Sequence, residues 1–321
     1  MPTTRLLVAE FMDPQGIQAL RAHGQVRYRP ELGEDREGLL AAVRGLSALV
    51  VRNRCQVDEA LLEAAGPSLR VVGRLGAGLD NVELAACQRR GVRVVYARGA
   101  NAQAVCEYVL GGLLYLLRRL AEADAAVRAG RWPREALIGG ELAGRTLGLV
   151  GVGEVGRRLA RQAHAFGVRV LGTDPVLTAG HPLLAGVPVD LAPLDQLLEA
   201  ADILSLHLPL TPGTWHMVDA GLLARMRPGS ILVQASRGGI VDENALADAV
   251  RSGHLGGAIL DVRETEPPPS PDPLADLPGV LLTPHLAGLT HEAQARVGAM
   301  VAEDVGRVLR GDAPRAEATP F

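Results

Sequence analysis

The sequence predicts an α/β protein of two domains, and three observations carry that reading. The chain has 321 residues, against a prior of about 150 per domain. Short apolar runs alternate with amphipathic stretches almost from end to end, the pattern of parallel strands joined by crossover helices. A second such series restarts in mid-chain at "GRTLGLVGVGEVGRRLARQAHAFG", after a long helical stretch.

The first series places strands near 5–10, 48–52, 70–75 and 93–97, at "RLLVAE", "ALVVR", "RVVGRL" and "RVVYA". Between them, "PQGIQALRAHG" and "DNVELAACQRRG" have helical apolar spacing and end on Gly24 and Gly91, which suits a left-handed C-terminal cap. From Asn101, "NAQAVCEYVLGGLLYLLRRLAEADAAVRAGRW" reads as one helix of about 30 residues, apolar on most sides in its first half and so buried in a core or subunit interface. The second series has further strands at "RVLGTD", "DILSLHLP", "SILVQAS", "GAILDV" and "GVLLTP". "EPPPSPDP" at 266–273 reads as a rigid, extended surface loop. The last helix, "THEAQARVGAMVAEDVGRVLRG", is expected to pack back on the first domain. The domains are then 1–99 with 287–321, and 100–286.

Composition narrows the function classes. With 33 basic against 36 acidic residues the net charge is −3, which provides no long-range attraction for nucleic acid or an anionic membrane. Every basic residue is arginine, so Schiff-base chemistry through a lysine is excluded. Cys55, Cys87 and Cys106 are odd in number and widely spaced. They indicate neither a disulfide framework nor a metal site, and fit a reducing cytoplasm. The first apolar run is too short for a secretion signal, and none reaches the ~18 residues that span a membrane.

Gly151, Gly153 and Gly156 have the G-x-G-x-x-G spacing between an apolar strand and an amphipathic helix. The first glycine permits the tight turn, the second the approach of backbone to a pyrophosphate, and the third the packing of helix on strand. The helix N-terminus supplies oriented N–H donors. Asp174 ends the next strand, where a carboxylate can accept from ribose hydroxyls and repel a 2′-phosphate. NAD is therefore preferred over NADP.

Three more strand ends carry candidate chemistry. Arg237 precedes the sharp turn Gly238–Gly239, and a guanidinium there can hold a carboxylate and polarise a carbonyl. Asp261, Glu264 and Glu266 follow "GAIL". Glu264 reads as a solvated charge, whereas Glu266 is pinned before prolines. His285, in "TPHLAG", is by itself either a proton carrier or a polar strand terminator. A carboxylate beside it would fix its tautomer and make it a competent acid–base group. His207, on an apolar strand, reads as structural, and His216 has no carboxylate-bearing motif around it.

Taken in order, "VVGRLGAGLDNVEL", "ANAQAVCEY", "LVGVGEVGRRLA" with Asp174, "LSLHLPLT", "SRGGIVDENAL", "ILDVRETEPP" and "LTPHLAG" resemble the D-2-hydroxyacid dehydrogenase family, which contains the phosphoglycerate dehydrogenases. The resemblance covers nearly the whole chain. It implies a Rossmann-type doubly wound NAD-binding domain inserted in a flavodoxin-like α/β substrate-binding domain. It puts the catalytic trio on Arg237, Glu266 and His285. For the cofactor it points to Glu154 and Val155 with the three glycines, Asp174, Leu208, Pro209, Ala235, Ser236, Asp261 and Gly288. For the substrate carboxylate it points to Gly76, Ala77 and Gly78, with Asn101 nearby.

Arg52, Arg54 and Arg74 are candidates for a second anionic group on the substrate, as in phosphoglycerate or sulfolactate. The alternatives are a glyoxylate or hydroxypyruvate reductase, in which Arg52 and Arg54 are idle, and a non-enzymatic NAD-sensing corepressor-like protein. Gln234 departs from the asparagine common at its position but keeps an amide. The long apolar helix suggests a homodimer.

Overall fold

The computed structural model of the protein describes residues 4–319. They form two compact units, Met1–Asn101 with Leu289–Phe321, and Ala102–Gly288.

In the first unit, strands β1 (Arg5–Val8), β2 (Gln25–Tyr28), β3 (Ala48–Val51), β4 (Val71–Arg74) and β5 (Arg93–Tyr96) alternate with helices α1 (Pro14–Arg21), α2 (Arg36–Ala42), α3 (Glu59–Ala65) and α4 (Leu84–Arg89). The strand order is β5-β4-β3-β1-β2, all parallel, which is the flavodoxin-like doubly wound order. All four residues of β3 are buried, as a central parallel strand covered on both faces requires. The Asp13 carboxylate caps α1 by accepting from the N–H groups of Gln15 and Gly16, both at 3.0 Å, and Pro14 opens the helix. There the missing N–H costs nothing.

The second unit begins with α5 (Ala102–Leu117) and α6 (Leu120–Arg128). The single long helix expected from Asn101 is thus two. Arg119 adopts a left-handed conformation, φ 49°, its guanidinium bonds Glu122 and the Ala136 carbonyl, and the Leu117 carbonyl accepts from Gly140 N–H at 2.8 Å. The returning segment satisfies groups that a continuous helix would have used internally. Helix α5 buries its apolar residues in the core of its own unit, among Leu147, Leu149, Ile203 and Ile259.

Next come β6 (Thr146–Val150), α7 (Glu154–Ala165), β7 (Arg169–Thr173), β8 (Asp190–Leu191), α8 (Leu194–Ala200) and β9 (Ile203–Leu206). Then follow α9 (Ala220–Arg225), β10 (Ile231–Gln234), α10 (Glu243–Arg251), β11 (Gly257–Leu260) and β12 (Val280–Leu282). All pair in parallel in the order β12-β11-β10-β9-β6-β7-β8. The order reverses between β6 and β9, and ligands of such sheets bind beyond the carboxyl ends of the strands there.

The chain then returns to the first unit. Helix α11 (His291–Arg310), capped by Thr290, packs on α1 and β4, and β13 (Glu317–Ala318) adds an antiparallel edge to β5. A Cβ on Gly73 would come within 2.7 Å of Val301, so the absent side chain in β4 is what lets α11 lie on the sheet. Strands β2, β8 and β13, not expected from the sequence, are edges or near-edges of two to four residues. A solvated edge lacks the continuous apolar run that marks a buried parallel strand.

Candidate active site

The glycine turn follows β6 directly. Gly151 has φ 94°, and a Cβ there would lie 2.4 Å from the His207 carbonyl oxygen. A Cβ on Gly156 would lie 2.4 Å from the Gly151 carbonyl oxygen, whereas one on Gly153 would meet nothing within 4 Å. Two glycines are therefore demanded by the chain itself. The third faces open space at the start of α7, whose N-cap carries no side-chain bond, leaving N–H donors for an anion.

Glu154 and Val155 open that helix. The Glu154 carboxylate, a poor neighbour for a phosphate, is paired with Arg157 at 2.7 Å, and Arg157 also donates to the Val152 carbonyl at 3.1 Å. Sequence reading missed Arg157; its signal was the i, i+3 spacing from Glu154. Asp174 accepts from the N–H groups of Val152, Val176 and Leu177 at 2.9, 2.9 and 3.1 Å. Burial works to raise its pKa, but these three donors and Arg157 bring it below the usual carboxylate value. An anion thus ends β7 beside the turn. These groups fit a dinucleotide with free ribose hydroxyls.

Across the opposite half of the sheet, β10, β11 and β12 are neighbours, and their carboxyl ends carry Arg237, Glu266 and His285. Gln234 is buried, donates to the Arg237 carbonyl at 2.7 Å and accepts from the N–H and hydroxyl of Ser236. The amide that replaces the common asparagine thereby shapes the turn that presents Arg237. Gly238 is obligatory, since a Cβ would lie 1.7 Å from the Arg263 carbonyl oxygen.

His285 has φ 54°, an uncommon conformation for a side-chain-bearing residue. Asp261 holds it there. The Asp261 carboxylate accepts from Thr283 Oγ1 at 2.7 Å and from the N–H groups of Leu286 and Ala287, both at 2.8 Å. Its carbonyl accepts from His285 N–H at 2.8 Å. Because Thr283 donates to Asp261, the Tyr108 hydroxyl, 2.6 Å from Thr283 Oγ1, is the donor in that contact. Burial pushes the Tyr108 phenol up to about 12, which keeps that proton in place.

His285 Nδ1 lies 2.8 Å from Glu266 Oε2, and Glu266 Oε1 accepts from Arg263 N–H at 3.2 Å. Both side chains are partly exposed. With Nδ1 engaged, Nε2 is the nitrogen available for a reacting proton. A cavity of about 450 Å³ adjoins the pair, lined by Asp261, Arg263, Glu266, Asp272, Thr283 and His285 among others.

Two expectations are corrected nearby. Glu264 is not a solvated charge: its Oε1 accepts from Glu243 N–H at 3.1 Å and contacts His216 Nε2 at 3.1 Å. His216 therefore has a carboxylate partner, brought by a loop 48 residues away. His207 contacts Ser205 Oγ at 3.0 Å, and burial pushes it down to about 4, a neutral ring at ordinary pH. Leu208, Pro209, Ala235 and Ser236 sit at the ends of β9 and β10, and Gly288 closes the unit.

The remaining candidates belong to the first unit. Arg54 is ion-paired with Glu34, while Arg52 donates to Gln294 at 2.7 Å and lies 6.0 Å from the Phe11 ring centre. The Glu10 carboxylate, unnoticed in the sequence, accepts from the N–H groups of Arg52, Asn53, Arg54 and Cys55. This buried acid shapes the loop after β3. Arg74 is 9% exposed, and its Nη1 would be 1.9 Å from a Cβ on Gly76, so Gly76 makes room for it. Ala77 is exposed, Gly78 half-buried, and Asn101 immediately precedes α5.

A dinucleotide turn and an imidazole–carboxylate pair on one doubly wound sheet define a nicotinamide-dependent oxidoreductase. Residues 110–287 match the family model for the NAD-binding domain of D-isomer-specific 2-hydroxyacid dehydrogenases. The chain is 46% identical to (S)-sulfolactate dehydrogenase of Chromohalobacter salexigens over 95% of its own length and 98% of that protein. It is 43% identical to D-3-phosphoglycerate dehydrogenase of Mycobacterium tuberculosis over 96% of its length but 57% of that protein. A crystal structure of a Thermus thermophilus protein superposes with a TM-score of 0.90 at 34% identity, covering 98% of this chain and all of that one. A glyoxylate reductase from Paecilomyes thermophila superposes with a TM-score of 0.88 at 26% identity, covering 99% of each chain. The protein belongs to the D-2-hydroxyacid dehydrogenase family, and its cofactor is NAD.

Proposed function

We propose that the protein transfers hydride between NAD(H) and C2 of a 2-hydroxy or 2-keto acid bearing a second anionic group, of the sulfolactate or phosphoglycerate type. The 2.8 Å pair of His285 and Glu266 carries the catalytic part. His285 Nε2 takes the hydroxyl proton during oxidation and returns it during reduction. Glu266 orients the ring and stabilises its charged form, and Arg237 binds the carboxylate and keto oxygen. Gly151, Gly153, Gly156 and the start of α7 hold the pyrophosphate, with Asp174 on the ribose; the bound nicotinamide supplies or accepts the hydride.

The second anion is supported by similarity along the whole chain to a sulfolactate dehydrogenase. Arg52 and Arg74 are its proposed ligands, with Gly76, Ala77, Gly78 and Asn101 serving the carboxylate end. A specific observation favours the second reading, a glyoxylate or hydroxypyruvate reductase: Arg54 is already neutralised by Glu34. NADH oxidation with sulfopyruvate, 3-phosphohydroxypyruvate, hydroxypyruvate and glyoxylate separates the two. High turnover of glyoxylate that is unchanged in Arg52→Ala rejects the second anion. Silence with all four rejects the proposed chemistry.

We also propose a homodimer in the cytoplasm. Leu120, Val127, Trp132 and Ile138, on and just after α6, are large apolar residues 48, 52, 75 and 77% exposed, and a second copy is the occupant proposed for them. The free, buried Cys55, Cys87 and Cys106 suit a reducing compartment. Among the described residues no helix is long and apolar enough to cross a membrane. A monodisperse monomer in light scattering rejects the dimer.

A further inference from the structure

Glu266 sits at the start of a proline-rich loop in which residues 265–271 are all exposed. A half-exposed carboxylate on such a loop needs an anchor if it is to meet His285 at 2.8 Å. The anchor is not apolar packing. Three residues before Glu266 stands Arg263, 7% exposed. Its guanidinium donates to Glu243 at 3.0 and 2.7 Å and to Asp272 at 2.7 and 2.7 Å.

We propose that Arg263 is a positioning residue of the reaction: clamped between Glu243 and Asp272, it sets the place of Glu266 against His285. Asp272 lies at the far end of the proline-rich loop, and Glu243 at the first position of α10. The guanidinium thus ties both ends of the loop to a helix rooted on the sheet. Glu243 Oε1 also accepts from Glu264 N–H at 2.7 Å, and Glu264 reciprocates by accepting from Glu243 N–H. The Arg263 N–H reaches Glu266 Oε1 directly at 3.2 Å, while its carbonyl packs on Gly238, next to Arg237. One residue therefore touches the segments that carry two members of the proposed trio.

Charge makes the clamp decisive. Without the guanidinium, the largely buried Glu243 and Asp272 carboxylates would face each other with no cation between them, and removing one side of a buried ion pair is strongly destabilising. Asp261, Arg263, Glu266 and Asp272 line the cavity that adjoins His285, and Arg263 is the one arginine among its lining residues.

The proposal rests on His285 and Glu266 being the proton-transfer pair, and its test has a readout independent of turnover. Histidine-15N spectra of the full chain, with His285 assigned through His285→Ala, report whether its Nδ1 holds a fixed proton. Wild type should show that tautomer and Glu266→Ala should lose it. Arg263→Met and Asp272→Asn should lose it as Glu266→Ala does. In both, kcat for NADH-dependent reduction of glyoxylate should fall by on the order of 100-fold, the cost of a small misplacement, with NADH affinity unchanged. Arg263→Lys, which keeps the charge but not the fork, should recover part of the signal. A wild-type His285 spectrum in Arg263→Met and Asp272→Asn overturns the proposal. Should Arg263→Met fail to fold, Asp272→Asn decides alone, since it keeps the side chain's size at the rim of the cluster. Absence of turnover with every 2-keto acid would reject the proton-transfer assignment, whereas the spectra judge the clamp.

Discussion

His285 Nδ1 and Glu266 Oε2 lie 2.8 Å apart although β12 delivers one and a loop after β11 the other. The backbone of His285 is held in a left-handed conformation by Asp261, a residue two positions before Arg263 on the segment that follows β11. Each partner thus has its own support, and the two supports can be perturbed separately.

Removing the imidazole is the most direct test. His285→Ala should lower kcat by about 10²–10⁴, the usual contribution of a general acid–base group, while NADH binding measured by fluorescence stays within about twofold. Weak NADH binding with normal turnover would reject the role.

The three glycines of the turn should behave differently. Gly156→Ala places a Cβ 2.4 Å from a carbonyl oxygen, and should cost about 1–3 kcal/mol of stability, as overpacking does. Gly153→Ala meets no protein atom within 4 Å. It should melt like wild type yet bind NADH at least tenfold more weakly. Equal affinity in Gly153→Ala would show that no pyrophosphate approaches there.

Asp174→Ala removes an anion that three N–H donors and Arg157 hold in its charged form. The ratio of kcat/KM for NADH to that for NADPH should fall by tenfold or more. An unchanged ratio would take Asp174 out of cofactor selection.

Tyr108→Phe deletes the donor to Thr283 and leaves a half-buried oxygen short of a partner, which should cost about 1 kcal/mol. The phenol stays protonated below about 12, so the deficit in melting temperature should be constant between neutral pH and mildly alkaline pH. A deficit that vanishes as pH rises through that range would contradict the donor assignment.

The Arg263 guanidinium holds the Asp272 carboxyl below its ordinary value. A depressed carboxyl stabilises the fold above its unfolded pKa of about 3.9, and that stabilisation is lost as pH falls through the lower folded value. Asp272→Asn should therefore melt below wild type at neutral pH, and the gap should close as the pH is lowered through the carboxylate range. A gap that is independent of pH would show that the ion pair contributes nothing.

Much was legible in the chain because local physics writes it there. Central parallel strands are buried on both faces and read as apolar runs, so β1, β3–β7 and β9–β11 stand out, and the edge strand β12 does so through its apolar Val280–Leu282, whereas the edge strands β2, β8 and β13 do not. The glycine turn is legible because its spacing is local: Gly156 faces the Gly151 carbonyl five residues back, although the His207 carbonyl that Gly151 faces comes from the end of β9. The break at Arg119 was not legible, because it depends on Gly140 and Ala136 returning to bond that turn.

By itself the sequence determined the fold class, the family and the residue types at each strand end, since these follow from periodicity and short-range spacing. Only the tertiary structure decided which groups meet. It set His285 on Glu266, buried Asp261 under the histidine turn, gave Glu264 to His216 and Glu243, and closed Asp272 on Arg263. Hydrogen bonds and ion pairs act over about 3 Å, and no spacing along the chain specifies such a distance between loops that only the folded sheet brings together.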